Sequence, residues 1–223
     1  MEHGLEKRLW TDADFEEMCW HDNLVYKIHA GKDLELDIDY IVKWNMPEVE
    51  GLPFSFWVAP ATLVFINVRQ LTLDINFYIE TDISEIVKEE VDGETRWTIV
   101  NHEQGDITFL CDGFQQFIRQ EPVFQYGQNI PMLQRNGISL ERTINQHNPN
   151  INTAAYNESR KMDAERYETL KARLVAMNEL KALEAQRENA AIAFKAYLIR
   201  RRDLRHEIAR CNTILKDKGY TDL

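Results

Sequence analysis

The sequence predicts an α+β protein, an antiparallel β-sandwich or curved-sheet domain followed by a long helical C-terminal arm. Three observations predict it. Apolar residues alternate with period two through much of the first 110 positions, the pattern of strands with one buried face. All six prolines and eight of the nine glycines lie before residue 150, whereas Ala154 to Lys218 is a run of 65 residues with neither. The charge divides at the same place. Residues 1 to 150 carry 11 basic and 26 acidic side chains, a balance of −15, and residues 151 to 223 carry 15 and 11, a balance of +4. Between the halves, Asn145 to Thr153 is polar and Asn-rich with Pro149, and reads as a linker or surface loop between an acidic β-rich domain (1–144) and a helical arm (154–223).

Taken in order, Thr11 caps a helix over Asp12 to Met18, with Asp14 three residues on completing a box-like start. A strand over Leu24 to His29 comes next. Leu34, Leu36, Ile38, Tyr40, Val42 and Trp44 then share one strand face, and Glu35, Asp37, Asp39, Ile41 and Lys43 the other. Further strands are predicted at Phe54 to Val58, at Thr62 to Val68, which is apolar on both faces like a central strand, and at Leu71 to Ile79. Thr95 to Asn101 and Asp106 to Cys111 form a hairpin whose loop, residues 102 to 105, ends at Gly105, free to take positive φ. In the arm, Tyr167, Leu170, Leu174 and Met177 follow 3, 4, 3 spacing, and Leu204, Ile208, Cys211 and Leu215 follow 4, 3, 4. Both are coiled-coil-like stripes. The arm is either one rod of about 98 Å at 1.5 Å per residue or a hairpin bent near Glu188 and Asn189, and Gly219 stops it after Lys216 and Lys218.

At 223 residues and 44% hydrophobic content the chain can bury a sizeable core. No apolar run approaches the length of a membrane span, and Met1 to Glu6 lacks a signal-peptide layout, so a cytoplasmic protein, or a subunit within a phage particle, is expected. Cys19, Cys111 and Cys211 form no C-x-x-C pair, which argues against a disulfide framework or zinc ribbon. Nucleophile elbow, phosphate loop and H-E-x-x-H are absent, so neither an enzyme nor a cofactor is expected. The acidic first part repels nucleic acid and anionic lipid and attracts a basic protein surface, so the partners expected are proteins, with no nucleic acid and no membrane.

Four sets of residues could carry function. His21 and Asp22 could act as a base or hold a metal, but neighbours on a strand point to opposite faces, so the pair cooperates only in a turn; Asp22 as a turn cap and His21 packed beside Trp20 is the plainer expectation. Glu35, Asp37 and Asp39 share a strand face, read as a solvated acidic patch for a basic partner rather than a calcium or magnesium site, which needs more oxygen ligands than this. Arg200, Arg201, Arg202 and Arg205 spread around a helix rather than forming a phosphate-binding stripe, and suit an acidic protein surface. Leu204, Ile208, Cys211 and Leu215 are the expected seam through which the arm binds a partner, a second copy or another subunit. The expectation is a non-enzymatic interaction or scaffolding protein, with the acidic β domain displayed on a helical assembly arm, as in a subunit of a larger bacterial or phage assembly. The alternatives are an immunity-type inhibitor masking a basic toxin site and an enzyme using His21 and Asp22.

Trp20-His21-Asp22, with Leu36 to Ile41 and Phe56 to Phe65, resembles a family of small uncharacterised bacterial proteins with a Trp-His-Asp motif. The resemblance covers about residues 13 to 142 and leaves the helical tail outside. It implies an independent β-rich domain and brings no activity or catalytic residue with it. The size and acidity also resemble immunity-type proteins.

Overall fold

The computed structural model describes residues 5–75, 81–102, 105–189 and 191–219. The strands among them are β1 (Leu9–Thr11), β2 (Asn23–Ala30), β3 (Leu34–Asn45), β4 (Ser55–Phe65), β5 (Arg69–Leu73), β6 (Thr81–Val91), β7 (Glu94–Asn101), β8 (Ile107–Leu110), β9 (Phe114–Ile118) and β10 (Val123–Gln125). The helices are α1 (Met132–Arg135), α2 (Ala154–Glu188) and α3 (Phe194–Asp217), with a 3-10 segment at Asp12–Glu17 where the sequence predicts a helix. Asp14 accepts the Thr11 backbone N–H at 2.8 Å there, as the box-like start requires. The protein is α+β. Its chain divides into two compact units, residues 1–45 with 55–156, and residues 46–54 with 157–223.

In the first unit all pairings are antiparallel, in one sheet of order β1-β9-β4-β3-β2-β6-β7-β8-β5, with β10 also on β4. The sheet rolls upon itself. β4 and β5 stand six places apart in that order, about 29 Å in a flat sheet at 4.8 Å per strand. Only residues 66–68 join them, a link that spans at most about 14 Å. Phe65 on β4 accordingly meets Trp97 on β7 and Phe109 on β8, with ring centroids 5.5 and 4.7 Å apart. The alternation in β3 holds where it is strongest: Leu34, Leu36, Ile38 and Tyr40 lie in the core formed on the concave side with Ala59, Leu63, Ile99 and Ile107. A bulge between Ile41 and Lys43 then shifts the register, and Trp44 emerges 36% exposed.

The two strands expected at Phe54 to Val58 and Thr62 to Val68 are one, β4, running through Pro60. Its carbonyl accepts the N–H of Arg119, on the edge where β9 hands over to β10, so the missing proline N–H removes no bond to β3. β6, β9 and β10 carry no signal that the alternation revealed. The strand expected to reach Ile79 is β5, ending at Leu73; residues 76–80, like Glu103 and Gln104 of the expected hairpin loop, lie outside the described residues. β7 and β8 do pair as that hairpin. Gly105 is needed there for close approach, because a Cβ would collide with the Asp74 backbone.

Asn145 to Thr153, expected as a linker or surface loop, falls within the first unit and is hydrogen-bonded to it. Asn148 is buried and donates from Nδ2 to Gln134 O at 2.6 Å and to Gln120 Oε1 at 3.2 Å, while the Gln146 N–H donates to Arg119 O. Polarity that reads as solvation is spent on internal amide bonds. In the second unit the arm is a hairpin, with α2 ending at Glu188 and α3 starting at Phe194; Asn189 between them is a residue type that favours turns over helix interiors. Residues 46–54 pack with it: Leu52 is buried, Gly51 at φ 91° lies where a Cβ would touch Leu174, and Glu48 pairs with Lys171.

Candidate functional site

The strand face carrying Glu35, Asp37 and Asp39 is not a solvated acidic patch. Asp37 and Asp39 are fully buried beneath the segment that follows β9, together with Arg119 and Arg135. Asp37 accepts from Arg119 Nη2 at 2.6 Å, from Arg135 Nη2 at 2.8 Å and from the Ser139 N–H at 2.8 Å. Asp39 accepts from Arg135 Nε at 3.1 Å, the Ile130 N–H at 2.6 Å and the Tyr26 hydroxyl at 2.8 Å. Arg135 also lies 3.8 Å over the Tyr26 ring. Burial pushes the Tyr26 hydroxyl far above its ordinary value, with Asp39 adding to it, so the group is a fixed neutral donor. Glu35 stays nearer the surface, paired with Arg142 and with His29 Nδ1 at 2.9 Å. The cluster clamps residues 119–139 across β3, a structural role that leaves the carboxylates unable to meet a partner.

The seam on α3 is likewise consumed within the chain. Leu204, Cys211 and Leu215 are buried, and Leu204 packs with Ala176 and Leu183 of α2, flanked by Leu180, Tyr197 and Ile208. Ion pairs Glu165–Lys218, Glu179–Arg200 and Glu184–Arg201 fix the antiparallel register. The expected partner helix is α2 itself, because a hairpin can bury the 4, 3, 4 stripe without a second molecule. Burial pushes the Cys111 thiol up to about 11 and raises that of Cys211, so both are protonated at neutral pH and poor nucleophiles.

His21 and Asp22 do meet, in the one setting that allows it. They sit in a turn closed by the Asn23 N–H on Trp20 O at 3.1 Å, with Asp22 at φ 62°, a left-handed conformation that Asp tolerates. The sheet order β2-β6-β7 adds a third group. The Asp22 N–H donates to Ile83 O and the His102 N–H to Asp82 O, which brings His102 beside the turn. His102 Nε2 lies 2.9 Å and His21 Nε2 3.5 Å from Asp22 Oδ1, while Gln128 Nε2 holds Oδ2 at 2.6 Å. His21 stacks on Trp44 at 6.1 Å between centroids, not on Trp20. His102 was invisible to local reading, since only strand pairing brings it to the turn.

Two exposed surfaces replace the ones expected. At the tip of the β6–β7 hairpin, Glu89, Glu90, Asp92 and Glu94 are all exposed. Asp92 and Gly93, at φ 55° and 83°, form its two-residue turn, a dipeptide signal that the sequence does carry. On the helical hairpin, Phe194, Leu198 and Ile199 are 57%, 45% and 47% exposed beside Arg200, Arg202 and Arg205. A shallow groove of about 490 Å³ there is lined by Met177, Leu180 and Ile208 with Arg173, Lys181, Glu184 and Asn212.

Fold and surfaces together define an α+β chain with a rolled antiparallel sheet, an acidic hairpin tip and an amphipathic helical hairpin. No family model matches this chain, and no curated protein or solved structure matches it significantly. No helix among the described residues is long and apolar enough to cross a membrane.

Proposed function

We propose that this is a non-enzymatic interaction protein that assembles with copies of itself, the helical hairpin of one chain receiving the acidic β6–β7 tip of another. The observation that carries the reading is the set of exposed apolar residues on α3, Phe194, Leu198 and Ile199, followed along the helix by exposed Arg200, Arg202 and Arg205. Apolar area at that density is costly to leave wet and marks a contact surface. The arginines choose the partner's sign. The tip of β6–β7 presents four carboxylates, so the chain contains both halves of a complementary pair.

Light scattering across concentration and salt tests this. The expected result is an oligomer that grows with concentration, dissociates as salt rises, and is lost in the Phe194→Glu, Leu198→Glu double variant. A clean monomer at high concentration and low salt contradicts it. On the immunity-type reading the tip meets a foreign basic surface instead, and the chain stays monomeric throughout.

A further inference from the structure

The geometry points to a divalent transition-metal site formed by His21 Nε2, Asp22 and His102 Nε2, independent of the assembly surfaces. One ligand atom from each residue lies within 4.8 Å of the other two. Tetrahedral zinc with bonds of about 2.0–2.1 Å spaces its ligands about 3.3 Å apart. The separations of 2.9 and 3.5 Å from Asp22 Oδ1 to the two imidazoles bracket that value.

Proton placement adds an independent argument. His21 Nδ1 lies 3.0 Å from the Ser84 carbonyl, which can only accept, so Nδ1 carries the hydrogen. Nε2 of a neutral His21 therefore directs a lone pair toward a carboxylate oxygen. Two acceptors face each other, and the arrangement is satisfied by a cation between them. The outer partners are those of a metal centre: a backbone carbonyl fixes the tautomer of one imidazole, and Gln128 holds the non-ligating carboxylate oxygen. Two imidazoles and one carboxylate suit zinc and its first-row neighbours rather than calcium or magnesium. Three protein ligands leave a fourth position open to water or to a ligand from outside.

Titration calorimetry of the full chain with zinc chloride, and separately with magnesium chloride, tests the site. One zinc ion per chain and no magnesium binding is expected, with the His102→Ala variant at least about tenfold weaker and Gln128→Ala weaker by about 10- to 100-fold. Circular dichroism of each variant reports whether it is folded. Zinc-edge X-ray absorption of the unaltered chain supplies a readout that needs no variant, and two imidazoles in the first shell are expected. No stoichiometric zinc, an unchanged affinity in a folded His102→Ala, or fewer than two imidazoles each overturns the proposal.

Discussion

Arg135 shows how a buried charge is tolerated: it reaches Asp37, Asp39 and the Gly137 carbonyl at once, so nearly every oxygen that folding desolvates is paired. Arg135→Met leaves two carboxylates with one cation between them, and a loss of about 3–5 kcal/mol in urea unfolding is expected. The pairings are illegible locally, because Asp37 and Arg135 stand 98 positions apart and a strand carboxylate looks the same whether water or an arginine faces it. Arg142 makes a weaker contact. The Asn67 N–H, then Arg142, hold the Asp33 carboxyl below its ordinary value. A carboxyl bound less tightly by protons in the folded state stabilises above its unfolded value near pH 4, and that stability is lost as pH falls through the lower folded value. Arg142→Ala should therefore cost about 0.5 kcal/mol at neutral pH, and its melting curve should converge on the parent's in acid.

The elements were legible in proportion to how far a single buried face dictated their residues. Leu34 to Tyr40 alternates because its concave side is core, and the 4, 3, 4 stripe of α3 was visible because it is a seam. β9 was not, since its buried position 116 is a glutamine whose Oε1 accepts the Trp20 indole N–H at 2.8 Å, and period-two hydrophobicity breaks there. Leu73, apolar and within a strand that the sequence predicts, is 40% exposed. Within the hairpin the positions of the stripe differ. Leu204→Asp buries a lone carboxylate against Ala176 and Leu183, and loss of helical ellipticity, with the near-ultraviolet signal of Trp97 retained, is the expected result. Ile208 is only half-buried and lines the groove, so Ile208→Asp should leave the hairpin folded and weaken association instead. In the β6–β7 turn, Gly93→Val forces a branched side chain to positive φ and should cost about 1–2 kcal/mol, read by thermal unfolding.

For the whole molecule, the division of charge was the most durable feature of the sequence, surviving even though its expected address did not. Part of the balance of −15 before residue 150 is displayed at the β6–β7 tip, while Asp37 and Asp39 of β3 are paired inside with Arg119 and Arg135. With the hairpin closed, α3 still exposes Phe194, Leu198 and Ile199, the residues on which the proposed assembly rests. The central claim is that tip and hairpin of different copies recognise each other by charge, and a charge-exchange experiment tests it most directly. Sedimentation velocity is measured for Glu89→Lys with Glu90→Lys, for Arg202→Glu with Arg205→Glu, neither of which pairs with α2 among the described residues, and for an equimolar mixture of the two double variants. The account predicts that each variant alone sediments as a smaller species than the parent, and that mixing restores association, because the Lys tip of one chain can seat on the Glu-bearing hairpin of the other. Parent-like association of both variants alone, or a mixture no larger than its components, would contradict it.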